Sequence, residues 1–276
     1  MTTKMPVYIW SETVRAVKSK EFKRYTLAIV AVSVLANLAI IAFRDYVYGT
    51  NDGTYGYNIV MFAGGFFWLP YYATIFIADM VFGKTYPDPY IKDRITKNLK
   101  RPHIYAGKLI ASFIMICIFA ILTFLLFIGI STLFQLSTGT LSGEVVKDFG
   151  VNIMCAVPLL MAGTSMGMMM LFCFDSKARA YVVFWCITII IPRIVMLLGA
   201  EPVSIDFCKF IKDKVLITPQ FTTLQFYASR NVPQIIISSV IYIIISAVAG
   251  MAVFGRKEID NVPIDGKRET GRRKKK

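Results

Sequence analysis

Histidine is almost missing from this chain: His103 is the one copy in 276 residues. No GxxxxGK[ST] phosphate loop and no HExxH occurs, so P-loop ATP binding and zinc-protease chemistry lack their residues; Gly163-Thr164-Ser165-Met166-Gly167 spells GxSxG but lies inside an apolar run, not at the strand-to-helix turn that serine hydrolysis needs. A solitary histidine at the mouth of an apolar segment reads as an interfacial residue, not a catalyst or ligand. The five cysteines, Cys117, Cys155, Cys173, Cys186 and Cys208, show no CxxC spacing and four fall in apolar runs. Neither a disulfide framework nor a zinc site follows. Acidic residues are few, 17 against 31 basic ones. The first thirty residues hold no short apolar run ending in small residues, so no cleavable signal is expected. An enzyme in its own right is not expected.

Apolar residues, by contrast, make up 56% of the chain and aromatics 14%, with a mean hydropathy of +0.58. They come in blocks, which predicts a polytopic, all-α membrane protein. Six spans are expected near 25–43, 57–82, 104–135, 150–173, 179–199 and 234–254, each long enough at ~1.5 Å per residue to cross ~30 Å of hydrocarbon. The third exceeds one perpendicular crossing and should tilt or project beyond the bilayer. An even number of spans puts both termini on one side. All basic residues except Arg44, Lys147, Arg193, Lys209, Lys212, Lys214 and Arg230 fall on that side, so the expected topology is multi-pass with cytoplasmic N- and C-termini. A one-sided basic excess is what topology alone produces, and no nucleic-acid partner is inferred from it.

Between the second and third spans, Asp79 to Ile110 carries about thirty polar, mostly basic residues. Ile91, Ile95 and Leu99 recur at i, i+4, i+8 with Lys92, Asp93, Lys97 and Lys100 around them, the pattern of a short amphipathic helix. Two readings fit the pattern equally: a face that docks into a groove of a cytosolic partner protein, and a helix lying on the inner membrane surface. The spacing Tyr86, Ile91-Lys92, Leu99, Arg101, Ile104-Tyr105, Lys108-Leu109-Ile110 resembles the cytoplasmic loop between the second and third spans of ABC-2 type permeases, the membrane subunits of ABC transporters, in their Gram-positive peptide and drug exporter branch. Thr85, Pro89-Tyr90 and Lys100 depart from the residues usual there. The resemblance implies that this loop is a coupling helix seated in a cleft of a separate ATPase, with Ile91, Lys92, Ile95, Leu99 and Arg101 as coupling residues.

Residues 1–24 place Trp10, Val14 and Val17 at i, i+4, i+7, with Ile9 and Thr13 beside them and basic residues around them. This fits a helix along the inner leaflet, and the resemblance implies an elbow helix. The resemblance implies a six-span permease domain over residues 25–255, and the basic tail 256–276 is expected to be disordered and to touch anionic lipid. Within the fifth span Pro192 should kink the helix. Arg193 lies roughly 20 Å from Arg179, within snorkelling reach of the outer surface; an outer anchor, with Glu201 or a carbonyl as partner, and a place in the translocation path are both open. Asp79 is expected to pair with a basic residue such as Arg15 or Lys108. Met168, Met169 and Met170 are candidates for the path; being consecutive they point around the helix and do not converge as Cu(I) ligands would. Gly163, Ser165 and Gly167 suit close helix packing. From Ala200 to Pro233, Phe207, Ile211 and Val215, then Phe221, Leu224 and Ala228, suggest two short outer interfacial helices separated at Thr218-Pro219. They fit either a cap over the path or a lipid-facing anchor.

The resemblance implies a permease subunit of an ATP-driven exporter of a peptide, drug or lipid-like molecule in the plasma membrane. It would work with a second permease copy or a sibling permease and with cytoplasmic ABC ATPase subunits. This chain would hold no cofactor, ATP and Mg being bound on the partner ATPase. A secondary transporter driven by an ion gradient and a non-transporting scaffold or sensor are the alternatives.

Overall fold

The computed structural model describes residues 5–47, 63, 66–83, 101–134, 142–201, 205–224 and 231–256. Among these every regular element is helical. Five helices are long and apolar enough to cross a membrane. They are α2 (Lys20–Val47), α5 (Arg101–Phe134), α6 (Gly143–Cys173), the composite rod α7 (Lys177–Trp185) to α8 (Ile191–Leu198), and α11 (Val232–Arg256). The expected span 57–82 is described only from its later part, as α3 (Trp68–Tyr72) and α4 (Thr74–Phe82) joined at Ala73. Together these cover residues 68–82, about 22 Å of helix and less than a full crossing.

The amino-terminal segment is a separate helix, α1 (Met5–Val17), and α2 begins at Lys20, not residue 25. Ser19 makes the break: its Oγ accepts from the Phe22 amide at 3.1 Å, filling one of the orphan donors of a helix start. The side of α1 that packs is not the expected Trp10/Val14/Val17 stripe. Tyr8, Glu12, Thr13 and Ala16 are buried, whereas Trp10 is 68% exposed. Tyr8 and Glu12 find close partners on α5, and this decides the face; Tyr8 lies against Gly107, where an added Cβ would come within 2.6 Å of its ring.

At the centre stands α6, the most buried of the five long helices, packed against α11, α4 and α5. Its small residues allow this. A Cβ on Gly163 would come within 2.7 Å of the Tyr71 ring, and one on Gly167 within 3.1 Å of the Ile75 backbone, so α4 rides directly on the α6 backbone. Antiparallel α5 and α6 are pinned by aromatic pairs. Phe127 meets Phe149 with ring centroids 4.7 Å apart, and Tyr105 meets Phe172 at 4.9 Å. α2 lies along α5: the Tyr25 ring meets Phe119 at a tilt with centroids 4.5 Å apart, and the buried Asn37 donates to Ser131 Oγ at 3.2 Å. Outward faces are apolar, for example Ile237, Ile241 and Ile245 of α11, as lipid contact requires.

The rod α7–α8 contains one π-helical turn, Cys186–Ile190. Pro192 follows it in the first turn of α8 and has no amide to donate back to Thr188, so the expected disturbance appears as a π turn ahead of the proline. Two further helices, α9 (Asp206–Lys214) and α10 (Ile217–Thr223), precede α11. The break between them falls at Val215–Leu216, and Pro219 sits in the first turn of α10, where a missing amide costs nothing.

Candidate functional site

The last carbonyls of α4 are a convergence point for charge. A helix end leaves its final C=O groups without intrahelical partners and carries roughly half a negative charge. Here three cations from three other elements take them up. Arg15 of α1 donates to Val81 O at 2.5 Å, and Lys108 of α5 donates to Val81 O and Phe82 O at 3.1 and 2.9 Å. Lys177, the first residue of α7, donates to Gly83 O. Gly83 has φ 109°, a conformation that suits glycine, and closes the helix with its amide bonded to Asp79 O at 2.9 Å.

Two carboxylates balance the cluster. Glu12 of α1 lies 2.6 Å from Arg15 and 3.6 Å from Lys108, and its side chain is 4% exposed. Asp79 of α4 is 2.5 Å from Lys177 and accepts from the Tyr181 hydroxyl at 2.6 Å. Both ammonium groups lie over the Phe82 ring, Lys108 Nζ 5.8 Å and Lys177 Nζ 6.0 Å from its centroid, and the ring meets Phe172 edge-on. Buried charge at this density survives when the groups are paired, and Glu12 depends on that pairing, since its buried Oε2 has ion-pair partners but no hydrogen bond. The cluster therefore holds α1, α4, α5 and α7 together at one end of the bundle, where the chain enters segment 84–100.

The other end of that segment is fastened too. Arg101, in the first turn of α5, donates to Gly255 O near the end of α11 at 3.2 Å. One turn on, Tyr105 is buried against Gly250 and donates to Ser246 O at 3.3 Å. Segment 84–100 thus leaves from a cluster tied to α1, α5 and α7 and returns at a contact tied to α11.

The sequence-derived residues are distributed unequally around this site. Ile91, Lys92, Ile95 and Leu99, with the amphipathic helix they were expected to form, lie outside the described residues, as do residues 257–276. Arg101 is in the site, but its contact joins two helices of the same chain. Asp79 is in it and pairs with a basic residue as expected, but with Lys177, beside the Tyr181 hydroxyl, and not with Arg15 or Lys108. Those two cations are taken by Glu12 and by the α4 carbonyls, whereas the first residue of α7 reaches Asp79. Arg193 is elsewhere, exposed on α8. Met168 and Met170 are buried and Met169 half-buried around α6. Among the described residues no group of three or more His, Cys, Asp or Glu side chains is placed to hold a metal ion. Sequence reasoning missed Glu12 and Lys108 as core residues. The available signal was the stripe Tyr8, Glu12 and Ala16 at i, i+4, i+8, with glutamate at its centre in a mostly basic segment.

At the opposite end, α9 and α10 are moored to the bundle. Gln234 Nε2 donates to Asp213 O at 2.7 Å, and Ser238 donates to Gln220 Oε1 at 2.8 Å. Phe221 packs on Tyr71 with centroids 5.4 Å apart, while Phe207 and Phe210 are 70% and 60% exposed. Comparison of the chain with known protein families, with curated proteins and with solved structures finds no match.

Proposed function

We propose that this chain is the membrane-spanning permease subunit of an ATP-driven ABC exporter, moving a peptide, drug or lipid-like substrate with energy from separate cytoplasmic ATPase subunits. The observation that carries the reading is the fastening at both ends of segment 84–100, whose sequence resembles the ABC-2 coupling loop. A loop that receives force from a partner must be tied to the helices it moves, and this one is tied at its start through Arg15, Lys108 and Lys177 and at its end through Arg101. Under this reading α1 is the elbow helix, with Trp10 turned outward into the headgroup layer. α9 and α10 are the outer interfacial helices, and α3–α4 completes a sixth span with residues before it. Both termini and segment 84–100 face the cytosol of a plasma membrane, and a second permease copy or a sibling completes the transporter.

The test is a mild-detergent pull-down of the tagged chain from its native cells, with mass spectrometry of what stays bound. An ATPase carrying a phosphate loop is expected with the unmodified chain and is lost with Leu99→Asp at unchanged expression. Equal ATPase recovery with both chains would refute docking through this loop, and recovery of the chain alone would refute the ABC assignment.

A further inference from the structure

The charge cluster has two halves that differ in their access to water. Glu12 and Lys108 have side chains 4% and 1% exposed, whereas Asp79 and Lys177 are 21% and 23% exposed. Water can replace the second pair when it separates and cannot easily reach the first. The element that carries Lys177 is also built to move. α7 has nine residues; before it the chain leaves the helix with Phe174 and Ser176 extended, and after it comes the π turn Cys186–Ile190. A π turn is a place where a helix changes direction, so α7 is a short rod jointed at both ends. Only Ala180 and Phe184 of its side chains are buried. What holds it to α3 and α4 is the Asp79–Lys177–Tyr181 triad, the Lys177 donation to Gly83 O at the end of α4, the Trp185 Nε1 donation to Tyr72 O at 3.1 Å, and edge-on contacts of Phe76 with Tyr181 and Trp185.

We propose that α7 is a hinged gate: the Asp79–Lys177–Tyr181 triad latches it closed against α4, and the Cys186–Ile190 turn is its hinge. The buried Glu12–Lys108 pair holds the end of α4 still, so that release of the triad swings the Lys177 end of α7 outward and parts the bundle between α4 and α7. The gate has two discrete states because the triad is either formed or hydrated, which is the kind of element a distant event can bias. Its use in transport rests on the permease reading; the latch and the hinge do not.

Distance measurement between spin labels tests this on the full-length chain in lipid nanodiscs, with the five native cysteines replaced by alanine. Labels at Arg179→Cys and His103→Cys report α7 against α5, and labels at His103→Cys and Arg256→Cys report α5 against α11 as a control. One short distance is expected in the parent. Asp79→Asn should add a population longer by about 5 Å, the scale of one helical turn, and the milder Tyr181→Phe should add a smaller population at the same distance. Adding Pro192→Ala, which restores the missing amide, should remove the long population. The control pair should stay fixed throughout. Unchanged α7 distances in Asp79→Asn and Tyr181→Phe overturn the latch, as does equal broadening of the α7 and control pairs. A long population indifferent to Pro192→Ala overturns the hinge. The assay contains no ATPase, so a pull-down that recovers none would remove the transport reading and leave this result in force.

Discussion

Lys108 is a cation with 1% of its side chain exposed, and it is tolerated because its ammonium group faces two helix-end carbonyls, the Glu12 carboxylate and the Phe82 ring. Lys108→Met removes the charge and keeps most of the volume. It leaves Phe82 O without the donor it has here and Glu12 buried with less compensation, an imbalance that costs about 3–5 kcal/mol when one partner of a buried pair is removed. Thermal unfolding in detergent should show a clearly lowered midpoint, and Glu12→Gln added to Lys108→Met should recover part of the loss; no recovery in the double variant would mean that the two side chains act independently. Gly250 gives a second, purely steric case. A Cβ there would fall on the Tyr105 ring, whereas at Gly129 nothing lies within 4 Å. Gly250→Val should therefore destabilise by about 1–3 kcal/mol, as overpacking does, and Gly129→Ala should show no such loss in the same melt. Comparable midpoints for the two would contradict the close approach of α5 and α11.

At the scale of elements, long apolar runs were readable because length and hydropathy are properties of the segment itself, and the five long helices lie close to the expected spans. The π turn was readable in cause but not in form: Pro192 announces a lost hydrogen bond, and whether the helix answers with a kink or an added residue depends on packing around Thr188. The buried face of α1 was not readable. Trp10, Val14 and Val17 make the more apolar stripe, yet the stripe that packs contains a glutamate, because its counter-charges come from Arg15 nearby and from Lys108 far along the chain. Asp79 shows the same limit, since its partners Lys177 and Tyr181 are about a hundred residues away in sequence. The α9–α10 pair was readable as two short helices, although its break and its mooring were not. Phe221 is buried against Tyr71, and Phe221→Ala should cost about 3–5 kcal/mol in a detergent melt. Phe207→Ala, at a side chain 70% exposed, should change the midpoint little. If the two variants melt alike, α10 is not packed as described.

For the molecule as a whole, the contacts at the two ends of the bundle constrain how the chain traverses it. Arg15, Gly83, Arg101, Lys177 and Gly255 share one end through the bonds of Arg15 to Val81 O, Lys177 to Gly83 O and Arg101 to Gly255 O. Asp213 and Gln234 meet at the other end, as do Phe149 and Phe127 in the outer parts of α6 and α5. A chain that visits the first end at residues 15, 83, 101, 177 and 255 has returned to it after each outward run. The helices α2, α5 and α7–α8 lead away, and α3–α4, α6 and α11 lead back. That alternation is the one the proposed even number of membrane crossings needs, and under the permease reading the first end lies in the cytosol. In a cysteine-free background, single cysteines at Glu144 and Asp213 should react with a membrane-impermeant maleimide on intact cells. Those at Ser19, His103, Arg179 and Arg256 should react only after permeabilisation. Labelling of Ser19→Cys and Arg256→Cys from opposite sides would break the even count. Labelling of the whole second set on intact cells would instead invert the topology and place segment 84–100 beyond the reach of any cytoplasmic ATPase, and the permease reading would fall with it.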